Sequence, residues 1–583
     1  MGISFPGNVI RVAGKLAKRP FMIADDVAAK KTRSLPDRDA GPRQRMESKF
    51  FAAALFLVSA LIFSFLRSND IFGVDGAFRC LEVYRRHSIF FHENNHMLYP
   101  VNVLAWTRLL GALGLTSGTR PSFYSRVELM NCLAAAASVT MVFCLTKLAT
   151  RSTRVALCVA AGLGFSKAFL LHATNSAEPM VGIFWSFLAV CLAALSFKTD
   201  RKWPIIASGF LFVLAMATYQ STIFLAPAAM VLIWYGRAPE QGQSFFSGPR
   251  VALLSQFALG GLAGCLSIYG WVFWRLGINR PSEMLRRFFV QQASRVYQGQ
   301  GVGKLLNLPI GLVRNAFPLQ PRYTGIRNLL AGPWLSTILF LLIVAAVSVF
   351  AVVHAALVIQ KWGRVPAIQR TAFLAAGAGF LFSSVPLVLM DPNYDKLWLQ
   401  PLACLAVLLG ISISLITPNE RNSFLLSKVM PAFLLAGVLS NIVWAAKSHA
   451  TETSDVGETE RLAHILGKND LLVGEWDHLT TLYGYGWAEA QVFSFPTEAV
   501  VHGASSVQLL HEKVVETRKA GGQIYFLALL DVSPEVWDSY LGSRCGVPYS
   551  ELDFYRAHSA ARIATFQNGP GSSVVLRRLD LPK

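Results

Sequence analysis

Apolar residues in this chain run together for 14 to 26 positions at a time, separated by short polar stretches, where a soluble protein would interleave them with polar ones. Runs of that length predict helices able to cross a hydrocarbon core of roughly 30 Å. They fall at Phe50 to Leu66, Val127 to Thr150, Val155 to His172, Met180 to Phe197, Ile205 to Tyr219, Thr222 to Tyr235, Val251 to Trp274, Trp334 to Ile359, Thr371 to Met390, Leu399 to Ile416 and Val429 to Ala446. The pattern predicts a polytopic α-helical membrane protein of about 11 spans. One further apolar stretch, Val101 to Leu115, is short and carries Arg108 at its centre, so it reads as an interfacial or re-entrant helix.

The sign of the loops orients the chain. The basic 1–49 segment reads as a cytoplasmic tail, with no cleavable signal ahead of the first apolar run. If Val101 to Leu115 does not cross, the later basic loops at Thr150 to Arg154, Lys198 to Lys202, Arg237 to Arg250, Lys361 to Arg370 and Asn419 to Lys428 fall on the same side as that tail. That is what the positive-inside rule demands. Two large external loops result, about 67–126 and 275–333, and residues 50–446 form the membrane-embedded domain. The remaining 447–583 alternates helical and strand patterns and predicts a small external α/β domain. Its strands are expected at Asp470 to Gly474, Gln491 to Phe495, Ile524 to Leu529, Ile563 to Phe566 and Val574 to Arg578, with helices near Asp455 to Gly467, Ser505 to Ala520 and Pro534 to Leu541.

Composition agrees with this reading. Of 583 residues 53% are hydrophobic and 15% charged, against about 25% charged in soluble domains, which excludes a soluble enzyme or a disordered scaffold. The net charge of +20 does not mark a nucleic-acid binder, because the excess is densest in two segments of an apolar chain: 11 basic against 5 acidic residues in 1–49, and 9 against 1 in 275–333. No nucleic-acid motif or nucleotide-binding glycine fingerprint accompanies it. Most of the eight cysteines lie in apolar runs as small hydrophobes, and no disulfide framework or zinc spacing is present.

Acids are scarce in the membrane domain, and their positions are therefore informative. Only 12 occur between Phe50 and Ala446, among them Asp75 after the first span, Glu178 in the short loop after His172, and Asp391 and Asp395 in the late loop Asp391-Pro392-Asn393-Tyr394-Asp395-Lys396. The first external loop adds His92, His96 and Tyr99 within the run His92-Glu93-Asn94-Asn95-His96-Met97-Leu98-Tyr99. Structural roles compete at each position. Asp75 could cap a helix beginning at Gly76, Glu178 could mark the helix start before Pro179, and Asp391 or Asp395 could pair with Lys396. His92 and His96, four residues apart, suit an acceptor or phosphate contact; they could also share a divalent metal, although spacing fixes no third ligand and no metal set is assigned.

An acid shortly after the first span, an interfacial helix, a second acid in the next external loop and an external C-terminal domain together resemble the GT-C superfamily. Its members are polyprenyl-phosphate-sugar glycosyltransferases, including the protein O-mannosyltransferases and the lipid A aminoarabinose transferases. Where the mannosyltransferases carry an acid pair, this chain has Asp75-Gly76. The resemblance implies transfer of a sugar from a polyprenyl-phosphate donor to a hydroxyl of a lipid, glycan or protein acceptor, with inversion at the anomeric carbon and no organic cofactor. Such chemistry needs a base for the hydroxyl proton and cations for the departing phosphate. Asp75 is expected as base, with Glu178 in support. Arg286, Arg287 and Arg295 of the basic loop, with Lys396, are expected on the phosphate, and His92, His96, Tyr99 and Asp391 on the substrates. The basic loop would also meet membrane lipids. The expected location is a bacterial cytoplasmic membrane with the catalytic face and the C-terminal domain periplasmic. Two rivals use the same features: a transporter or flippase for a lipid-linked solute, and a non-catalytic assembly protein for envelope polysaccharides.

Overall fold

The computed structural model describes residues 42–67, 80, 83, 96–115, 120–196, 201–236, 248–275, 280, 282, 303–317, 334–390, 392, 394–416, 430–450, 461–474, 490–542, 545–567 and 573–581. By contacts the chain divides into two units, Met1–Phe51 and Ala52–Lys583. The second holds both the helical bundle and the α/β region, so residues 447–583 do not separate from the helices as a contact unit of their own.

Over its described residues each predicted apolar run coincides with one helix or with consecutive helical segments. They are α1 (Pro42–Phe65), α3 (Arg120–Thr150), the pair α4 (Thr153–Gly164) and α5 (Lys167–Ala173), α6 (Pro179–Leu195), α7 (Trp203–Thr218), a 3-10 turn (Gln220–Leu225) running into α8 (Ala226–Gly236), and α9 (Gly248–Gly264) continuing into α10 (Gly270–Arg275). After α11 (Gly303–Ala316) come α12 (Trp334–Lys361), α13 (Ala367–Ser383), α14 (Val385–Leu389), α15 (Asp395–Ile416) and α16 (Met430–Ala450). Among the described residues, 5 helices are long and apolar enough to cross a membrane, and the pair α4 and α5, bent by 67°, makes a sixth if taken as one span. The 17 residues of α6 rise only about 25 Å, which is why this apolar helix falls short of that length. The architecture is that of a polytopic helical membrane protein.

The stretch around Arg108 forms α2 (Tyr99–Ala112), separate from the long helices, with Pro100 in its first turn. Local chemistry sets the other boundaries too: Ser152 caps α4 by accepting from Val155 N at 3.2 Å, and prolines open α6 and α7. Helices α7 and α9 cross with backbones touching. A Cβ on Gly260 would lie 1.9 Å from Ile206 O, and one on Gly209 would lie 2.0 Å from Phe257 O, so only glycine permits this approach. The expected loop at 275–333 contains the amphipathic helix α11, whose Ile310, Val313 and Arg314 are buried.

The C-terminal region is a mixed sheet in the order β2-β1-β3-β5-β4. Strands β1 (Leu471–Gly474), β2 (Gln491–Ser494) and β3 (Ile524–Leu527) are parallel, while β5 (Ser573–Leu579) runs antiparallel to both β3 and β4 (Ser559–Gln567). Alternation and turn residues predicted all five. The missed element is α17 (Phe495–His502), which follows β2 directly with Pro496 in its first turn and ends where Gly503 takes φ +59. β1 and β3 are buried along their whole length, and the two faces of the sheet explain why. One face, with Leu471, Val473, Ile524 and Phe526, packs on α17 and on α18 (Ser505–Lys519). The other, with Leu472, Tyr525, Leu527 and Leu576, shares a core with Tyr99 and Val103 of α2, Phe123 and Val127 of α3 and Val181 of α6. The sheet therefore backs directly onto the helix ends that carry the candidate site.

Candidate functional site

Four sequence-predicted residues meet at one end of the bundle: Glu178, Lys396, His96 and Tyr99. Asp75, His92, Arg286, Arg287, Arg295 and Asp391 lie outside the described residues.

Glu178 occupies the N-cap of α6, yet its side chain makes no capping hydrogen bond. Its Oε1 instead accepts from Lys396 Nζ at 2.9 Å and lies 3.7 Å from His96 Nε2. The carboxylate is 0% exposed and the lysine side chain 7%. A helix N-terminus stabilises a carboxylate and disfavours a cation, so helix formation alone gives no reason for a lysine in the first turn of α15. The pairing with Glu178 supplies one. Ions taken this far from water repay desolvation only through close pairing, and removing one partner of such a pair costs roughly 3–5 kcal/mol.

A second pair stands beside the first. His172 Nε2 lies 3.2 Å from Asp395 Oδ1, and both side chains are buried. The same Oδ1 accepts from Lys396 N at 2.9 Å. Of the two acids that could have paired with Lys396, Asp395 lies against His172 while the ammonium meets Glu178, and Asp391 is outside the described residues. Consecutive residues of α15 thus hold the two ends of the loop from His172 to Glu178.

That loop is fixed from beneath. Asn131 Nδ2, in the middle of α3, donates to both Asn175 O and Ala177 O at 2.7 Å. The Tyr99 hydroxyl donates to Ser176 O between them, and Asn175 Oδ1 accepts from Ala177 N at 2.9 Å. Burial, with smaller contributions from Cys80 and Glu178, holds the Tyr99 phenol well above its ordinary pKa, so it remains a neutral donor. Tyr99 was expected on a substrate; its hydroxyl is committed to the loop. Asn131 and His172, which also reach this cluster, were not among the sequence candidates. A lone amide between Met130 and Cys132 in an apolar run was the available signal, since intramembrane polar groups face the interior.

His96 has φ 59, a conformation that few residues other than glycine adopt, although histidine is among those enriched there. Its Nδ1 lies 3.2 Å from Thr218 O, its ring stacks on Tyr219 with centroids 5.4 Å apart, and Leu98 N donates to Ala217 O at 2.9 Å. A carbonyl opposite Nδ1 requires the proton on that nitrogen. Nε2, facing Glu178, is then a lone pair in the neutral ring and a donor in the charged one. The end of α7 thus aims His96 at the carboxylate, and the cluster offers a carboxylate with two basic groups around it.

Nearby, Trp398 Nε1 donates to Pro392 O at 2.6 Å, and a Cβ on Gly311 would lie 2.2 Å from the same oxygen. Helix α11 is thereby packed against the turn that opens α15. Among the described residues no group of three or more His, Cys, Asp or Glu could hold a metal ion.

No protein-family model and no curated protein matches the chain. Solved structures do. The crystal structure of ArnT from Cupriavidus metallidurans bound to undecaprenyl phosphate superimposes with a TM-score of 0.55 at 14% identity, covering 91% of this chain and 99% of that one. The apo state of the same ArnT matches with a TM-score of 0.47 at 15% identity and the same coverage. Nearly the whole length of the chain therefore has the fold of ArnT.

Proposed function

We propose that the protein is a membrane glycosyltransferase that moves a sugar from a polyprenyl-phosphate donor to an acceptor hydroxyl at the non-cytoplasmic face. The observation that carries this reading is the buried Glu178–Lys396 pair with His96 beside it, at one end of a bundle with the fold of a protein crystallised with undecaprenyl phosphate. A buried ion pair fed by three separate segments is costly as structure alone and is the arrangement expected of a site.

In this reading the acceptor oxygen attacks the anomeric carbon as the bond from that carbon to the phosphate oxygen breaks, with inversion. Asp75 takes the hydroxyl proton, and polyprenyl phosphate leaves. Glu178 orients the acceptor, with His96 at its other side. Lys396, with Arg286, Arg287 and Arg295, balances the charge growing on the leaving phosphate. The reading takes eleven spans, with the 1–49 tail cytoplasmic and 447–583 on the opposite side, so that all of these groups share one face. A lipid, glycan or protein could supply the acceptor hydroxyl.

The test is turnover of a polyprenyl-phosphate sugar by the reconstituted protein, with Asp75→Asn and Glu178→Gln compared. Loss of transfer in a folded Asp75→Asn variant is expected; near-normal turnover would sink its role as base. Native mass spectrometry of the gently purified protein adds a second reading. A carrier-lipid mass that disappears in the Arg286→Ala, Arg287→Ala variant supports the donor assignment, while ordinary phospholipid alone argues against it.

A further inference from the structure

We infer that Asn131 is a positioning residue of the site, acting through Glu178. The inference rests on the role given to Glu178 above. Its basis is the way the backbone immediately before Glu178 is held. Three consecutive carbonyls, of Asn175, Ser176 and Ala177, accept hydrogen bonds from only two side chains, both completely buried and belonging to different helices: Asn131 on α3 and Tyr99 on α2. Asn175 closes the turn on itself through Ala177 N. A loop pinned at three consecutive carbonyls is restricted in how it delivers its last residue, and here it presents the Glu178 carboxylate to Lys396 and His96.

The same cluster is poorly optimised as structure. Among the described residues Asn131 Oδ1, Asn175 Nδ2 and Ser176 Oγ are buried with no hydrogen-bond partner. Buried polar atoms are nearly always satisfied in folded proteins; exceptions occur elsewhere in this chain too, but three of them meet in this one turn and its clamp. An apolar loop of the same length would cover the helix end without this cost. Asn131 therefore fixes where Glu178 sits; it does not itself touch the reacting atoms.

The bundle supplies its own control. Asn441 on α16 is also buried, its Oδ1 likewise without a partner, and it makes the same double contact elsewhere, donating through Nδ2 to Phe165 O at 2.7 Å and Ala316 O at 2.9 Å, so only the loop held by Asn131 distinguishes the two. Asn131→Ala and Asn441→Ala should lower the melting temperature in detergent by similar amounts. Only Asn131→Ala should lower kcat, by about ten- to a hundredfold, with donor KM kept within about threefold. Tyr99→Phe, which removes the Ser176 contact and the weak one from Cys80 Sγ at 3.8 Å, should move kcat the same way by less and serves if the alanine variant fails to fold. Parallel kcat losses in the two asparagine variants would overturn the inference, as would full kcat in Asn131→Ala alongside an impaired Glu178→Gln. Normal turnover in Glu178→Gln would instead remove the reading on which the inference rests. In that event hydrogen exchange across residues 173–179 decides the clamp: faster exchange in Asn131→Ala alone supports it, and equal exchange in the two asparagine variants overturns it.

Discussion

The bundle end and the C-terminal sheet both use ion pairs, and they use them to opposite effect. Glu178–Lys396 and His172–Asp395 are closed off from solvent. In the α/β region Arg577 pairs with Asp531 at 2.7 Å with both side chains about one-third exposed, at 31% and 33%, and Lys513–Glu516 lies on an open helix face. Geometry is similar in the two places, but the solvent differs. Water and salt screen the exposed pairs until they contribute roughly 0–1 kcal/mol each, whereas Glu178–Lys396 cannot be halved without stranding a charge. The position of the charges, more than their number, separates the part of the molecule where chemistry is expected from the part that supports it.

The largest expected effect comes from stranding a charge. Lys396→Met should lower stability by about 3–5 kcal/mol, read as a fall in detergent melting temperature, and should abolish transfer. Combining it with Glu178→Gln should restore most of the stability and none of the activity. If the single and double variants melt alike, the two groups are not an energetic pair. His172→Ala comes next: loss of the Asp395 partner should cost roughly 1–3 kcal/mol and impair kcat less than Lys396→Met does. A greater kcat loss in His172→Ala would exchange the importance assigned to the two pairs.

Smaller effects belong to the sheet. Asp531→Asn should change stability by less than about 1 kcal/mol and leave turnover at the wild-type level; a larger cost would mean that burial is the wrong criterion. The region should also respond to alkali through a neutral group. Burial pushes the Tyr555 phenol up to about 12, above the ordinary value near 10. The folded state then holds a proton that the unfolded state has released. This contribution is complete below pH 10 and is lost as pH rises from about 10 to 12. Alkaline melting curves of wild type and Tyr555→Phe should therefore diverge in that window, and curves that stay parallel would place the phenol in contact with water.

Much of this contrast was legible in the sequence. Long apolar runs leave little choice but helix, so the element boundaries followed, and the Arg108 stretch fell into a separate helix as its charge required. The strands were recoverable because alternation and turn residues are local signals. Pairing was not local. Nothing near Lys396 states that it meets Glu178, 218 positions away, and not the nearer Asp395. Asn131 escaped notice because one amide in an apolar run carries no periodic signature, and its meaning depends on a loop 44 residues later. Helix α17 escaped because β2 runs into it without a polar break. The order of the sheet, with β5 inserted between β3 and β4, depends on which face meets α2 and α3, which no window of sequence contains.

Asp395 and Lys396 are neighbours on one helix, so their side chains leave the axis about 100° apart. Each grips a different end of the same loop. A single contact would let α15 swivel about its own axis, as a hinge pin does; two at that angle work as a key in a slot. Axial rotation of α15 would break the Glu178–Lys396 ion pair and the His172–Asp395 contact together. Any motion that admits a substrate at this end must therefore carry α15 and the loop from His172 to Glu178 as one piece, with the opening made along its boundary with other elements.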